Sequence, residues 1–89
     1  MLKTNVQIIN KLGLHARAAA KFVTLASKFS CEVHLTKNQQ SVNGKSIMGV
    51  MMLAASKGTS LTLITDGKDE QIAADELYEL IQKRFGENE

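Results

Sequence analysis

Apolar residues in this chain change their spacing repeatedly, from every second position to a helical stripe and back, and this succession restricts the fold more than any composition figure. Leu2, Thr4, Val6 and Ile8 alternate with Lys3, Asn5 and Gln7, the period of a strand with one buried face. After a loop over residues 10–14, good helix formers run from Ala16 to about Ser27. Ala19, Val23 and Ala26 fall on one stripe there, with Phe22 and Phe29 near its border. Cys31, Val33 and Leu35 alternate with Glu32, His34 and Thr36, and a turn at Asn38–Gln40 leads into a short third strand ending near Asn43. Ser46 precedes an apolar run over Ile47–Ala55 closed by Lys57-Gly58, which places it as the N-cap of a second helix. Leu61 and Leu63 mark a fourth strand that stops at Asp66-Gly67. The last segment has Asp69 and Glu70 in its first turn, a stripe of Ala73, Leu77, Leu80 and Ile81, and Lys83 and Arg84 before Gly86, so both ends suit a helix dipole. The order βαββαβα, without proline, repeat or linker, predicts an α+β fold with helices packed on one face of a mainly antiparallel sheet.

A chain of 89 residues supports one small domain, here read as 1–89, with a core sufficient without cross-links. Cys31 is the single cysteine, so no internal disulfide is possible, and a buried structural role in a reducing compartment is expected. No apolar run approaches the ~18 residues needed to span a membrane, which predicts a soluble cytoplasmic protein without membrane insertion. The net charge of +2 conceals an asymmetry: residues 1–65 carry +7, with Glu32 their only acid, while residues 66–89 carry −5. A basic body favours encounter with acidic partners, although any single surface lysine serves solubility first.

The basic part contains His15, set between Gly13 and the alanine-rich helix start Ala16-Arg17-Ala18-Ala19-Ala20. First-turn amides lack intrahelical partners and, with the helix dipole, favour negative charge where the His15 side chain sits. A neutral imidazole there is a nucleophile able to accept a phosphoryl group, with Arg17 adding fixed positive charge. Arg17 lies two residues on, a spacing that does not face His15 within a regular helix but does serve it if His15 is the N-cap. The same physics also describes a passive anion site. His34 alternates outward on a strand with no cluster of metal ligands around it and is read as a solvated sheet residue. No metal or cofactor site is expected.

Ser46 is a helix cap by default and a phosphorylation site by extension, since a phosphate at a helix N-terminus stabilises the helix and acts on partners through charge. In the second helix Ile47, Val50 and Leu53 or Ala54 are expected to face the core. That leaves Met48 and Met52 exposed, with Met51 equally placed as core filler or as part of an adaptable docking patch. A nucleic-acid-binding module is the competing class suggested by the basic body. Single-strand recognition needs aromatic stacking on a sheet, whereas Phe22, Phe29, Tyr78 and Phe85 all fall on predicted helices.

Three segments carry a family resemblance: Gly13-Leu14-His15-Ala16-Arg17, Lys45-Ser46-Ile47-Met48-Gly49-Val50-Met51 and Ala55-Ser56-Lys57-Gly58. With their spacing and the element order, the chain resembles the HPr family, the histidine-containing phosphocarriers of the bacterial phosphoenolpyruvate-dependent sugar phosphotransferase system. The resemblance implies an open-faced β-sandwich, a four-stranded antiparallel sheet covered by three helices, in a carrier rather than an enzyme. It implies that His15 becomes the pros-phosphohistidine, receiving its phosphoryl group from enzyme I and passing it to a sugar-specific enzyme IIA, with Arg17 stabilising the phosphoryl charge and no cofactor required. It also implies a monomer, phosphorylation of Ser46 by an HPr kinase/phosphorylase, and a docking patch of Ile47, Met48 and Met51. Within the family, a nitrogen-branch or regulatory paralogue is the alternative. Two departures stand out. Ala18 replaces the usual proline, which loosens pre-organisation of the first turn, and Leu12 replaces a small polar residue, which shifts phosphate contacts onto backbone amides.

Overall fold

The computed structural model describes residues 1–89. Strands β1 (Leu2–Gln7), β2 (Glu32–Lys37), β3 (Gln40–Asn43) and β4 (Ser60–Asp66) and helices α1 (Ala16–Ala26), α2 (Ile47–Met52) and α3 (Glu70–Gln82) follow in the order βαββαβα. The strands form one sheet in the order β1-β4-β2-β3, every pair antiparallel. Register decides which residues face the helices. Leu2, Thr65 and Val33 lie in one row, and Thr4, Leu63 and Leu35 in the next, while Val6 stands opposite Leu61. Slipping any strand by one residue would exchange this apolar row for Lys3, Asn5 and Ile64.

The helices cover that inner face, and the core collects Val33, Leu35, Leu61 and Leu63 from the sheet with Phe22, Val50, Leu53, Leu77, Ile81 and Phe85 from above it. On α1 the buried stripe is Ala18, Ala19, Phe22 and Ala26, with Val23 only half-buried. The buried stripe is rotated from the one the sequence predicts: Phe22, not Val23, is its centre. Small alanines on either side let α1 approach closely enough for the phenyl ring to fill the space beneath. Buried Thr65 interrupts the apolar face without an unpaired hydroxyl, because its Oγ1 donates to the Glu70 carbonyl at 3.0 Å.

Two helix ends depart from expectation, and so does Phe29, which lies beyond α1 although that helix ends close to the expected Ser27. Helix α2 stops at Met52, and Ala54 takes a left-handed φ of 49° instead of continuing to Ala55. Residues 28–31 after α1 are turns, so Phe29 is not helical. Helix α3 ends at Gln82, and Arg84, Phe85 and Gly86 all have positive φ (56°, 55° and 80°). That left-handed turn drives Phe85 into the core, and the Lys21 ammonium holds it by donating to the Phe85 carbonyl at 2.7 Å.

Asp69 precedes α3 but does not cap it; its carboxylate instead accepts from the amides of Ser30 and Cys31, each at 2.9 Å. The Ser30 amide foremost holds the Asp69 carboxyl below its ordinary value of 3.8. The ionised form therefore stabilises the fold above that value, and the contribution disappears as pH falls through the lower folded-state value. Urea melts from pH 5 towards pH 2 should show this loss, and Asp69→Asn should flatten the slope. Equal slopes in both proteins would show that the tie between α3 and the α1–β2 loop does not depend on charge.

Candidate functional site

Loop residues 10–14 bring the chain from β1 to α1 across the segment that follows α2. Gly13 has φ 69°, and a Cβ there would lie 2.5 Å from the Ala55 carbonyl oxygen and 2.9 Å from Ser56 Cα. The contact is used: the Leu14 amide donates to the Ala55 carbonyl at 2.9 Å. The early end of α2 is what turns this carbonyl towards the loop, so the motif over residues 55–58 and the motif over residues 13–17 form one junction.

His15 is the N-cap of α1, with extended backbone, and its carbonyl accepts the first helical bond from Ala19 at 2.8 Å. Its side chain folds back over the first turn, where Nδ1 accepts from the Arg17 amide at 3.3 Å. The other ring nitrogen, Nε2, pairs with Oε2 of Glu87. The opposite oxygen of Glu87 accepts from the Asn10 side-chain amide at 3.0 Å, and the same amide donates to the Gly13 carbonyl at 2.8 Å. Two acceptors fix the orientation of buried Asn10 and leave its Oδ1 without a partner. Asn10 first, and His15 second, hold the Glu87 carboxyl below its ordinary value of 4.5. Glu87 is thus an anion facing the imidazole.

A shallow cavity over this cap is lined by Lys11, Leu12, His15, Ala16, Arg17 and residues 87–89. The Arg17 side chain is exposed and pairs with no carboxylate of the chain, so its charge is available to an anion at the cap. His15 and Arg17 are therefore brought together, Arg17 contributing its amide to the imidazole and its side chain to the rim. Leu12 is two-thirds exposed on the same rim. No local signal in the sequence marks Asn10 or Glu87, since Glu87 lies 72 residues from its imidazole partner.

Ser46, Ile47, Met48 and Met51 do not line this cavity. Ser46 caps α2, accepting from the Gly49 amide at 3.1 Å. Lys45 beside it donates to the Phe29 carbonyl at 2.6 Å, so that ammonium is engaged in the fold. Val50 and Leu53 are buried, whereas Ile47 is 43% exposed and does not join the core as expected. Val50 is the one buried residue within α2, and Leu53 follows it as the C-cap. Met48, Met51 and Met52 are exposed with it, on a helix packed against α1.

His34 lies on the far face of the sheet, partly exposed and 3.3 Å from a Glu32 oxygen. Cys31 is buried, and burial pushes its thiol up from the ordinary range. No three His, Cys, Asp or Glu side chains gather in one place, and no helix is long and apolar enough to cross a membrane. Of the aromatics, Phe22 and Phe85 are buried and Tyr78 is exposed on α3; none lies on a strand.

Comparison with known proteins places the whole chain in one family. Residues 2–83 match the family model described as the PTS HPr component phosphorylation site. The phosphocarrier protein HPr of Neisseria meningitidis serogroup A is 61% identical over 89 residues, all of both chains. The HPr-like protein Crh of Halalkalibacterium halodurans is 46% identical over 83 residues, covering 93% of this chain and 99% of the relative. The crystal structure of HPr-C-His from Thermoanaerobacter tengcongensis superimposes with a TM-score of 0.96 at 46% identity, over all of both chains. Likeness in sequence and fold along the whole chain, joined to a histidine capping a helix, means that the chain belongs to the HPr family of phosphocarrier proteins of the phosphotransferase system.

Proposed function

We propose that His15 is the phosphoryl acceptor of this carrier, taking the group from the phosphohistidine of enzyme I in the cytoplasm and passing it to a histidine of a sugar-specific enzyme IIA. The observation that carries this reading is the orientation of His15 Nδ1 towards the unpaired amides of the α1 N-terminus. The Nδ1 lone pair attacks phosphorus, the P–N bond of the donor breaks, and its electron pair returns to the donor imidazole. The new phosphoryl dianion then lies beside first-turn amides and within reach of Arg17, which supplies charge without a metal or cofactor. A P–N bond is high in energy, so the same step runs onward to an acceptor imidazole.

The exposed Ile47, Met48 and Met51 give both protein partners an adaptable apolar surface, and the +7 body steers acidic ones towards it. Incubation with phosphoenolpyruvate, magnesium and enzyme I should add one phosphoryl mass that survives base and is lost in acid. An acid-stable adduct, or none, would sink the assignment.

Ser46 is proposed as the site of an HPr kinase/phosphorylase. A phosphoserine adds about −1.5 to −2 charge beside the methionine patch and is tolerated by the helix it caps, so its effect falls on docking. Apart from modification, Ser46→Ala should cost about 1 kcal/mol, because the Gly49 amide loses its acceptor. A urea midpoint equal to wild type would mean the cap contributes nothing.

A further inference from the structure

The last residues of the chain reach the phosphorylation site because of the left-handed turn at Arg84–Gly86, which reverses the direction of α3 and returns Glu87 to the cap of α1. Positive φ at two consecutive non-glycine residues costs free energy and persists only where the surroundings enforce it. Here the buried Phe85 ring, the Lys21 bond to its carbonyl and the Asn10 bond to Glu87 enforce it together.

The two ring contacts of His15 are compatible with only one neutral form. A backbone N–H can only donate, so Nδ1, facing the Arg17 amide, must present its lone pair. The single proton of the neutral ring then belongs to Nε2, and the carboxylate of Glu87 is the acceptor that faces it. The Arg17 bond is long at 3.3 Å and is by itself a weak constraint on the ring. We propose that Glu87 is a positioning residue that fixes which nitrogen of His15 receives the phosphoryl group, by holding the proton on Nε2 and leaving the lone pair on Nδ1. The proposal rests on the reading of His15 as the acceptor. Glu87 does not touch the reacting nitrogen; it acts through the ring.

Two further consequences follow. Attack through Nε2 would bring a phosphoryl dianion against the Glu87 carboxylate, so the same charge disfavours the wrong isomer. After transfer to Nδ1 the ring keeps its Nε2 proton and gains a positive charge, which Glu87 balances at contact distance. The charged groups around the pair are Lys21 below Phe85, Arg17 on the rim, and Lys11, which pairs with Glu89 at 3.5 Å. The three cations cannot accept the Nε2 proton, and the Glu89 carboxylate, paired with Lys11, makes no hydrogen bond to the ring.

The test compares wild type with Glu87→Gln, and with Glu87→Asp as the conservative variant. Ring-nitrogen NMR reports the tautomer. Phosphoramidate serves as a small donor that needs no protein docking: its P–N bond breaks with the electron pair leaving on ammonia. Wild type should show the Nε2–H tautomer and a phosphoryl group on Nδ1. Glu87→Gln should populate the other tautomer, yield Nε2 adduct and slow uptake about tenfold, while Glu87→Asp should recover part of the rate and the isomer ratio. Backbone amide spectra check that the core is unchanged. If Glu87→Gln keeps the wild-type tautomer and isomer ratio, the proposal is overturned, whatever its rate. If wild type itself takes no phosphoryl group on His15, it is the acceptor reading that fails.

Discussion

His15→Ala should abolish acid-labile phosphorylation, to below about one-thousandth of the wild-type rate, because no second nucleophile of the same kind is in position. His34 is the only other imidazole, and it sits on the open face of the sheet beside Glu32, far along the chain from any helix N-terminus. Hydroxyl groups such as Ser46 can carry phosphate, but a phosphate ester resists acid, so lability separates the two chemistries. The substitution should leave the fold intact. The bond it removes, from the Arg17 amide to Nδ1, is long at 3.3 Å, and loss of an N-cap acceptor costs at most about 1–2 kcal/mol. Intact mass after incubation with phosphoenolpyruvate, magnesium and enzyme I is the measurement. A full phosphoryl mass on the alanine variant, lost in acid, would move the acceptor elsewhere.

Gly13→Ala should cost about 3 kcal/mol, a large effect for one added methyl group. Two effects add. An L-residue at φ 69° costs about 1 kcal/mol relative to glycine, and the new Cβ overlaps backbone atoms of Ala55 and Ser56 that cannot rotate away, an overpacking cost of about 1–3 kcal/mol. Gly58 is the internal control, because it has φ 93° but open space where its Cβ would go. Gly58→Ala should therefore show the backbone cost alone. In urea the Gly13 variant should lose midpoint without loss of slope. It should also take up phosphoryl groups more slowly, since relief of the overlap moves the loop that sets His15 at the cap. If Gly13→Ala destabilises no more than Gly58→Ala, the junction between residues 13 and 55 is not a constraint.

Much of the site was legible because a helix N-terminus is a local structure. His15 and Ser46 each stand directly before the helix they cap, and capping depends on residues within one turn. The element order was legible for the same reason, each strand and helix declaring its own period. Helix ends were less so. The apolar run over Ile47–Ala55 offers no stop signal before Lys57-Gly58, yet α2 ends at Met52 because Leu53 turns inward and the Ala55 carbonyl is taken by Leu14. At Phe85 the periodic pattern points to more helix, and burial of the ring instead drives the chain into left-handed backbone.

The sequence by itself determined the succession of strands and helices, the histidine at a helix start and the basic body around it, since all of these rest on neighbours within a few residues. Only the tertiary structure decided the strand order β1-β4-β2-β3, the exposure of Ile47 beside the methionines, and the meeting of Asn10 and Glu87 with His15. Those depend on side chains far apart in the chain reaching one place. Packing of the common core brings them there, and no local pattern of charge or hydropathy encodes it.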